Sequence, residues 1–175
     1  VLLKGEQIPG EEYEVGQRIK VFVMEVNKEL KGPLGTLSRV HQGLVRRMFE
    51  LEIPEVADGT VQVKSVSREA GSRSKVAVAS TDPNVDPVGS CIGKGGMRIA
   101  PILAELSGEK IDVVRYSEDP ATYVAEALSP AKVISVEMEN ERTCRVRVDA
   151  DQLSLAIGKE GQNAKLAARL TGFKI

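Results

Sequence analysis

Two short loops hold the residues of this chain best suited to chemistry, and that chemistry is the gripping of phosphate. Gly93-Lys94-Gly95-Gly96 and Gly158-Lys159-Glu160-Gly161 each follow an isoleucine, Ile92 and Ile157. Glycine at both ends of a four-residue turn permits positive φ and lets another backbone come close. Amides in such a turn, together with the positive end of a following helix dipole, form a natural phosphate site. Lys94 and Lys159 place a cation in each turn, and Arg98 and Lys165 lie one helical turn further on. With three Phe, three Tyr and no Trp, serial base stacking lacks material. Bases held beside such loops would instead be read by aliphatic walls and polar side chains. Ile92, Ile157, Gln162 and Asn163 are the candidates, and Asn163 has the amide for a bidentate contact with a base edge.

Other chemistries fail on spacing. A nucleotide-hydrolysing loop needs Gly-x4-Gly-Lys-Ser/Thr. Here Gly89 stands one residue too close to Gly93-Lys94, and Gly95 replaces the magnesium-binding hydroxyl. A dinucleotide loop would want glycine where Arg98 sits. His41, the only histidine, has no evident partner and reads as a linker residue. Cys91 and Cys144 lie 53 positions apart with no CxxC spacing, so neither a disulfide framework nor a zinc site is expected. Cys91 reads as a small buried hydrophobe. Asp82 and Asp86, like Asp149 and Asp151, are spaced as turn and cap residues, not as a metal loop. The expectation is a binding protein with no cofactor and no enzymatic activity.

The net charge of −1 does not announce a nucleic-acid binder, but its distribution is uneven. Residues 59–80 hold Lys64, Arg68, Arg73 and Lys75 against Glu69, and residues 158–175 hold Lys159, Lys165, Arg169 and Lys174 against Glu160. The longest uninterrupted apolar stretch, Ile99 to Ala104, is six residues, far short of a membrane span of about 20. The first residues include no initiator Met and no basic-then-apolar leader pattern, which suggests the cut edge of a larger, cytoplasmic protein.

The loops belong to a repeat. Ile92-Gly-Lys-Gly-Gly-Met-Arg, ending in Glu105-Leu-Ser-Gly-Glu-Lys-Ile111, matches Ile157-Gly-Lys-Glu-Gly-Gln-Asn, ending in Arg169-Leu-Thr-Gly-Phe-Lys-Ile175. Apolar spacing predicts a helix over 44–51, strands over 61–66 and 75–79, and a short helix opened by Asp86-Pro87 and reaching Ile92. A helix ending at Gly108 and a strand over 110–114 complete the first module. Pro101 implies that this helix either starts late, near Ala100, or is kinked. The second module repeats the order, with helix 119–128, strands 132–137 and 145–148, helix 151–157, helix 164–170 and a last strand from Phe173. Each is α-β-β-α-α-β, an α+β layout of three strands with helices on one face. Only Arg115 to Glu118 join the modules, too short for a flexible tether, so they should pack as one rigid body. A GxxG loop between two helices, clamping about four nucleotides, is the signature of a KH domain.

Longer motifs carry a resemblance. Leu37-Ser-Arg-Val, Phe49-Glu-Leu-Glu-Ile-Pro-Glu-Val, Ser67-Arg-Glu-Ala-Gly-Ser-Arg-Ser-Lys-Val-Ala-Val, Asp86-Pro-Val-Gly-Ser-Cys-Ile-Gly and Gln152-Leu-Ser-Leu-Ala-Ile-Gly-Lys-Glu-Gly-Gln-Asn resemble the NusA family of bacterial transcription factors. The resemblance implies two tandem type II KH domains, at 43–118 and 119–175. It also implies that residues 1–42 are the C-terminal part of a β-barrel OB fold plus linker, with strands at 19–26 and 35–39. It further implies single-stranded RNA as ligand, RNA polymerase and antitermination factors as partners, and a role in pausing, termination and antitermination. A KH-bearing ribosomal or ribosome-assembly protein is the alternative. Pro101 and Glu160 depart from the family pattern, and Glu160 sets an acid beside a presumed phosphate.

Overall fold

The computed structural model describes residues 1–26, 28, 32 and 35–175. Helix α1 (Gln42–Glu52) buries Leu44, Val45, Met48 and Phe49, the inward positions of a 3.6-residue period. It stops at Ile53 because Pro54 starts a separate short helix, α2 (Pro54–Ala57). His41 caps α1: its Nδ1 accepts the Gly43 N–H at 2.8 Å, and its ring stacks on Phe22 at 4.6 Å. The histidine is therefore a structural cap as well as a linker.

Residues rich in valine then form a hairpin. Its strands pair antiparallel, and the register slips by one residue between Val63 and Ser65. We number β1 (Phe22–Val26) and β2 (Gly35–Ser38) in the N-terminal segment, so the hairpin is β3 (Val61–Glu69) and β4 (Arg73–Ser80). Asp86 caps α3 (Pro87–Ile92) by accepting the Val88 N–H at 3.2 Å. Helix α4 (Ala100–Glu105) starts at Ala100, which places Pro101 in the first turn where no amide donor is needed. The helix starts late; it is not kinked. Strand β5 (Lys110–Arg115) then runs parallel to β4, giving the sheet order β3-β4-β5.

The second module has α5 (Pro120–Ala127), an antiparallel pair β6 (Ser135–Met138) and β7 (Cys144–Arg147), then α6 (Leu153–Ile157) and α7 (Gln162–Thr171). Strand β6 starts three residues later than its composition predicts. The Lys132 amide is taken by Gln152 Oε1 at 2.9 Å, and so is lost to any ladder. The expected third strand is a single bridge between Thr143 and Lys174, with Lys174 N–H donating to the Arg142 carbonyl and Cys144 N–H to the Lys174 carbonyl.

The period of two in β4 decides how the modules meet. Val76 and Val78 face α1, α3 and α4 in one core, while Ala77 faces the other way. On that second face Ala77 and Val114 join Tyr123, Val124, Ala127, Ala167 and Leu170, residues of α5 and α7. The second module's helices thus cover the back of the first module's sheet. Ser65 Oγ and Tyr123 OH both donate to the Leu170 carbonyl, and Lys75 Nζ donates to the Ser129 carbonyl at 2.8 Å. With both faces covered, Ser74 to Val78 form an unbroken buried run. The two modules pack as one body.

Burial spends most of the first basic cluster. Arg68 pairs with Glu109 at side-chain exposures of 2% and 0%. Arg73 and Lys75 both reach Asp112, at 2.7 and 2.9 Å. Burial lowers the Lys75 ammonium from its ordinary range, with Asp112 opposing. Burial would raise the Asp112 carboxyl, but Arg73 and Lys75 outweigh it and hold it below its ordinary range. Of the four cations, only Lys64 is exposed, lying 5.6 Å from the centre of the Tyr116 ring. The local excess of cations in residues 59–80 is thus largely neutralised inside the fold.

In the N-terminal segment, β1 and β2 pair antiparallel. Ile19 to Val21 lie outside the strand, because the Lys20 amide is captured by Glu105 Oε1 at 2.6 Å. Asn27, Glu29 to Lys31, Pro33 and Leu34 lie outside the described residues.

Candidate nucleic-acid interface

Each glycine loop is built by the same backbone path. Gly93 (φ 75°, ψ 169°) ends α3, and Gly158 (φ 79°, ψ 171°) ends α6. The third position is Gly95 at φ 63° or Glu160 at φ 56°, and the last is Gly96 at φ 76° or Gly161 at φ 77°. The chain then folds back so sharply that a Cβ on Gly93 would lie 3.0 Å from the Arg98 amide nitrogen. On Gly158 it would lie 2.7 Å from that of Asn163. Close approach and positive φ together demand glycine at the head of both loops. Gly96 and Arg98 N–H donate to the Gly93 and Ile92 carbonyls, and Gly161 N–H to the Gly158 carbonyl. The amides of Lys94 and Gly95 take no part in these bonds.

Glu160 holds a conformation that its counterpart Gly95 adopts freely. A left-handed backbone costs an L-residue about 1–2 kcal/mol. Glu160→Gly should therefore raise the unfolding free energy by roughly 0.5–1 kcal/mol after glycine's own entropy is counted. Glu160→Ala keeps the strain and should leave the thermal midpoint nearly unmoved. Equal midpoints for the two variants would show that the loop carries no such strain.

The structure divides the sequence candidates. Lys94 and Lys159 are exposed at the loops. Ile92 and Ile157 are exposed at 37% and 45%, which is unusual for isoleucine and suits the wall of a groove. Lys165 lies by the second loop, its Nζ donating to the Glu160 carbonyl at 3.1 Å. Arg98 instead donates to the Ser90 carbonyl and pairs with Glu55, so its charge is committed to holding α2 beside the first loop. Asn163 is a correction. It is 2% exposed, and its Nδ2 donates to the Leu128 and Ala156 carbonyls, both at 3.0 Å, so it cannot meet a base edge. Gln162 stays at the surface cleft but reaches across to the first module, donating to Glu69 at 2.9 Å and Ser72 at 2.7 Å.

Sequence reasoning missed the exposed Met97, Leu153 and Leu155, which flank the two loops. An apolar residue at helical spacing reads as core, and only their exposure separates them from it. A groove of about 560 Å³ lies beside the first loop, lined by Val85, Gly93, Lys94 and Met97 among others. Cys91 is fully buried, and burial pushes its thiol up to about 12. Among the described residues no His/Cys/Asp/Glu group could hold a metal ion. No helix there is long and apolar enough to cross a membrane.

A short helix, a GxxG loop and a second helix on a small sheet, twice over, define a pair of KH-type modules. Residues 39–116 match the family model described as the NusA-like first KH domain, and residues 120–175 the NusA-like second KH domain. The chain belongs to the NusA family. It is 58% identical over 171 residues to the transcription termination/antitermination protein NusA of Halalkalibacterium halodurans, covering 97% of this chain and 45% of that protein. It is 57% identical to the protein of the same name from Bacillus subtilis, covering 97% and 46%. The chain thus spans about half the length of these curated relatives. A crystal structure of APE1850 is similar at a TM-score of 0.50 and 27% identity, over 70% of this chain and 85% of that one.

Proposed function

We propose that this chain is the RNA-gripping part of a transcription elongation factor that modulates pausing, termination and antitermination by RNA polymerase. Its ligand is single-stranded RNA. The observation that carries the reading is the pair of loops, identical in backbone path, each with an exposed lysine and an exposed isoleucine at its head. Each loop grips about four nucleotides of backbone. The residues that do so are Ile92, Gly93, Lys94, Gly95 and Gly96 in the first, and Ile157, Gly158, Lys159, Glu160, Gly161 and Lys165 in the second. The names of the relatives support the setting. In this reading the modules are type II KH domains at 43–118 and 119–175, and residues 1–42 belong to an OB-fold domain. The protein works without a cofactor and without catalysis, in the cytoplasm, beside the polymerase and other antitermination factors.

The test replaces Lys94-Gly95, or Lys159-Glu160, with two aspartates. Repulsion at the phosphate site should lower affinity for a 12-nucleotide single strand at least tenfold, while the thermal midpoint stays within a few degrees. A hairpin of the same sequence should bind far more weakly than the open strand, because its base edges are already paired. Unchanged binding in both loop variants would end the reading.

A further inference from the structure

The place where the second loop meets the first module carries a feature that phosphate gripping does not use. Glu69, the last residue of β3, and Ser72, in the turn to β4, line a cleft of about 240 Å³ with Lys159, Glu160, Gln162 and Lys165. The cleft therefore exists only because the modules are docked. Gln162 Nε2 donates to Glu69 Oε2 at 2.9 Å and to Ser72 Oγ at 2.7 Å. A carboxylate accepts only, so this contact fixes which end of the Gln162 amide faces Glu69. Both amide hydrogens are then committed, and the Gln162 carbonyl oxygen is left as an acceptor. No group among the described residues donates to that oxygen or to Glu69 Oε1. The Ser72 hydroxyl accepts from Gln162 and keeps its own hydrogen to donate.

We infer that this junction cleft is a nucleobase-reading subsite selective for guanine, placed beside the second phosphate grip. The inference deepens the RNA-binding reading and rests on it. Around the Gln162 amide the cleft offers two acceptors, Glu69 Oε1 and Gln162 Oε1, and one neutral donor, the Ser72 hydroxyl, with Lys159, Glu160 and Lys165 completing its lining. Guanine's pairing edge carries the complement: one acceptor, O6, and two adjacent donors, N1–H and the N2 amine. Adenine and cytosine each set an unprotonated ring nitrogen next to their amine, where it would face an acceptor oxygen. Uracil flanks its single N–H with two carbonyls, which the Glu69 carboxylate repels. A site whose polar groups are already locked by hydrogen bonds rejects a base that leaves them unpaired. Lys159 and Lys165 at the rim offset the carboxylate's repulsion of the RNA backbone. Glu69, Ser72 and Gln162 become specificity-determining residues drawn from both modules.

The test uses this chain and 12-nucleotide oligoadenylates with one guanosine moved through each position, read by fluorescence anisotropy. One position should bind about tenfold tighter than the all-adenosine strand, the discrimination a well-placed pair of base contacts supplies. Inosine there removes only the N2 amine and should give up most of that gain. Glu69→Ala should bring the guanosine strand down to the all-adenosine level, and Glu69 is exposed, so the fold tolerates the change. Equal affinity at every guanosine position, or a preference that survives Glu69→Ala, would overturn the subsite while leaving RNA binding intact. Failure of every strand to bind would overturn the RNA reading itself, and the subsite with it.

Discussion

Arg39→Met should lower the unfolding free energy by about 3 kcal/mol, the low end of the cost of breaking a buried pair, because the cation is buried while its two carboxylates are only partly so. Arg39 is 1% exposed and ties the N-terminal segment to the first module. It donates to both oxygens of Glu11, to Glu105 Oε1 and to the carbonyls of Lys20 and Glu105, at 2.6 to 2.9 Å. Methionine fills similar volume but leaves Glu11 and Glu105 unpaired. Urea denaturation should show the loss, and amide exchange should quicken at Lys20, whose N–H reaches Glu105. The effect has a pH signature. Burial would raise the Glu11 carboxyl, but hydrogen bonds from Arg39, Ser107 and Tyr13 outweigh it and hold it down to about 2. A depressed carboxyl contributes stability that is complete above its ordinary value of 4.5 and fades as pH falls toward about 2. That acid dependence should flatten in Arg39→Met. A variant as stable as the parent at pH 7 would show that the cluster contributes nothing to docking.

The second large effect is expected at Glu109. Its carboxylate accepts from Arg68 at 3.1 to 3.3 Å, and from the Gly71 N–H and the Ser74 hydroxyl, both at 2.8 Å. Glu109→Ala leaves the Nε and Nη2 of a buried guanidinium, an amide and a hydroxyl together without an acceptor, and only Arg68 Nη1 keeps a partner, the His41 carbonyl. The cost should be about 3–5 kcal/mol, enough to unfold the first module at modest urea. The paired replacement Arg68→Met with Glu109→Leu should recover much of that loss, since a well-packed apolar pair can match a buried ion pair. A loss below about 1 kcal/mol for Glu109→Ala, the range of an exposed pair, would show that water reaches this site. The variant also bears on RNA. Gly71 lies in the turn between Glu69 and Ser72, and Ser74 stands just after it in β4, so the variant's affinity for guanosine strands should fall along with its stability.

The elements set by neighbouring residues were legible in the sequence. Asp86-Pro87 and Asp119-Pro120 open α3 and α5 as read, because a cap and a first-turn proline act within four residues. The two GxxG loops were found from type and spacing alone, since positive φ at a loop head is a property of glycine itself. Their repetition identified the modules before any contact was known. What the sequence left open was the fate of groups with several possible partners. Arg68, Arg73 and Lys75 stand in the sequence as a local excess of cations, and the fold pairs them with Glu109 and Asp112. Asn163 read as a base contact and proved to be buried against the Leu128 and Ala156 carbonyls. Gln162 found its partner 93 residues away, in the other module. A charge or amide can be satisfied by solvent, by ligand or by a distant side chain, and local spacing does not distinguish these. Packing within the first module decided which cations were spent, and only the docking of α5 and α7 onto the back of its sheet decided where the two modules share a cleft.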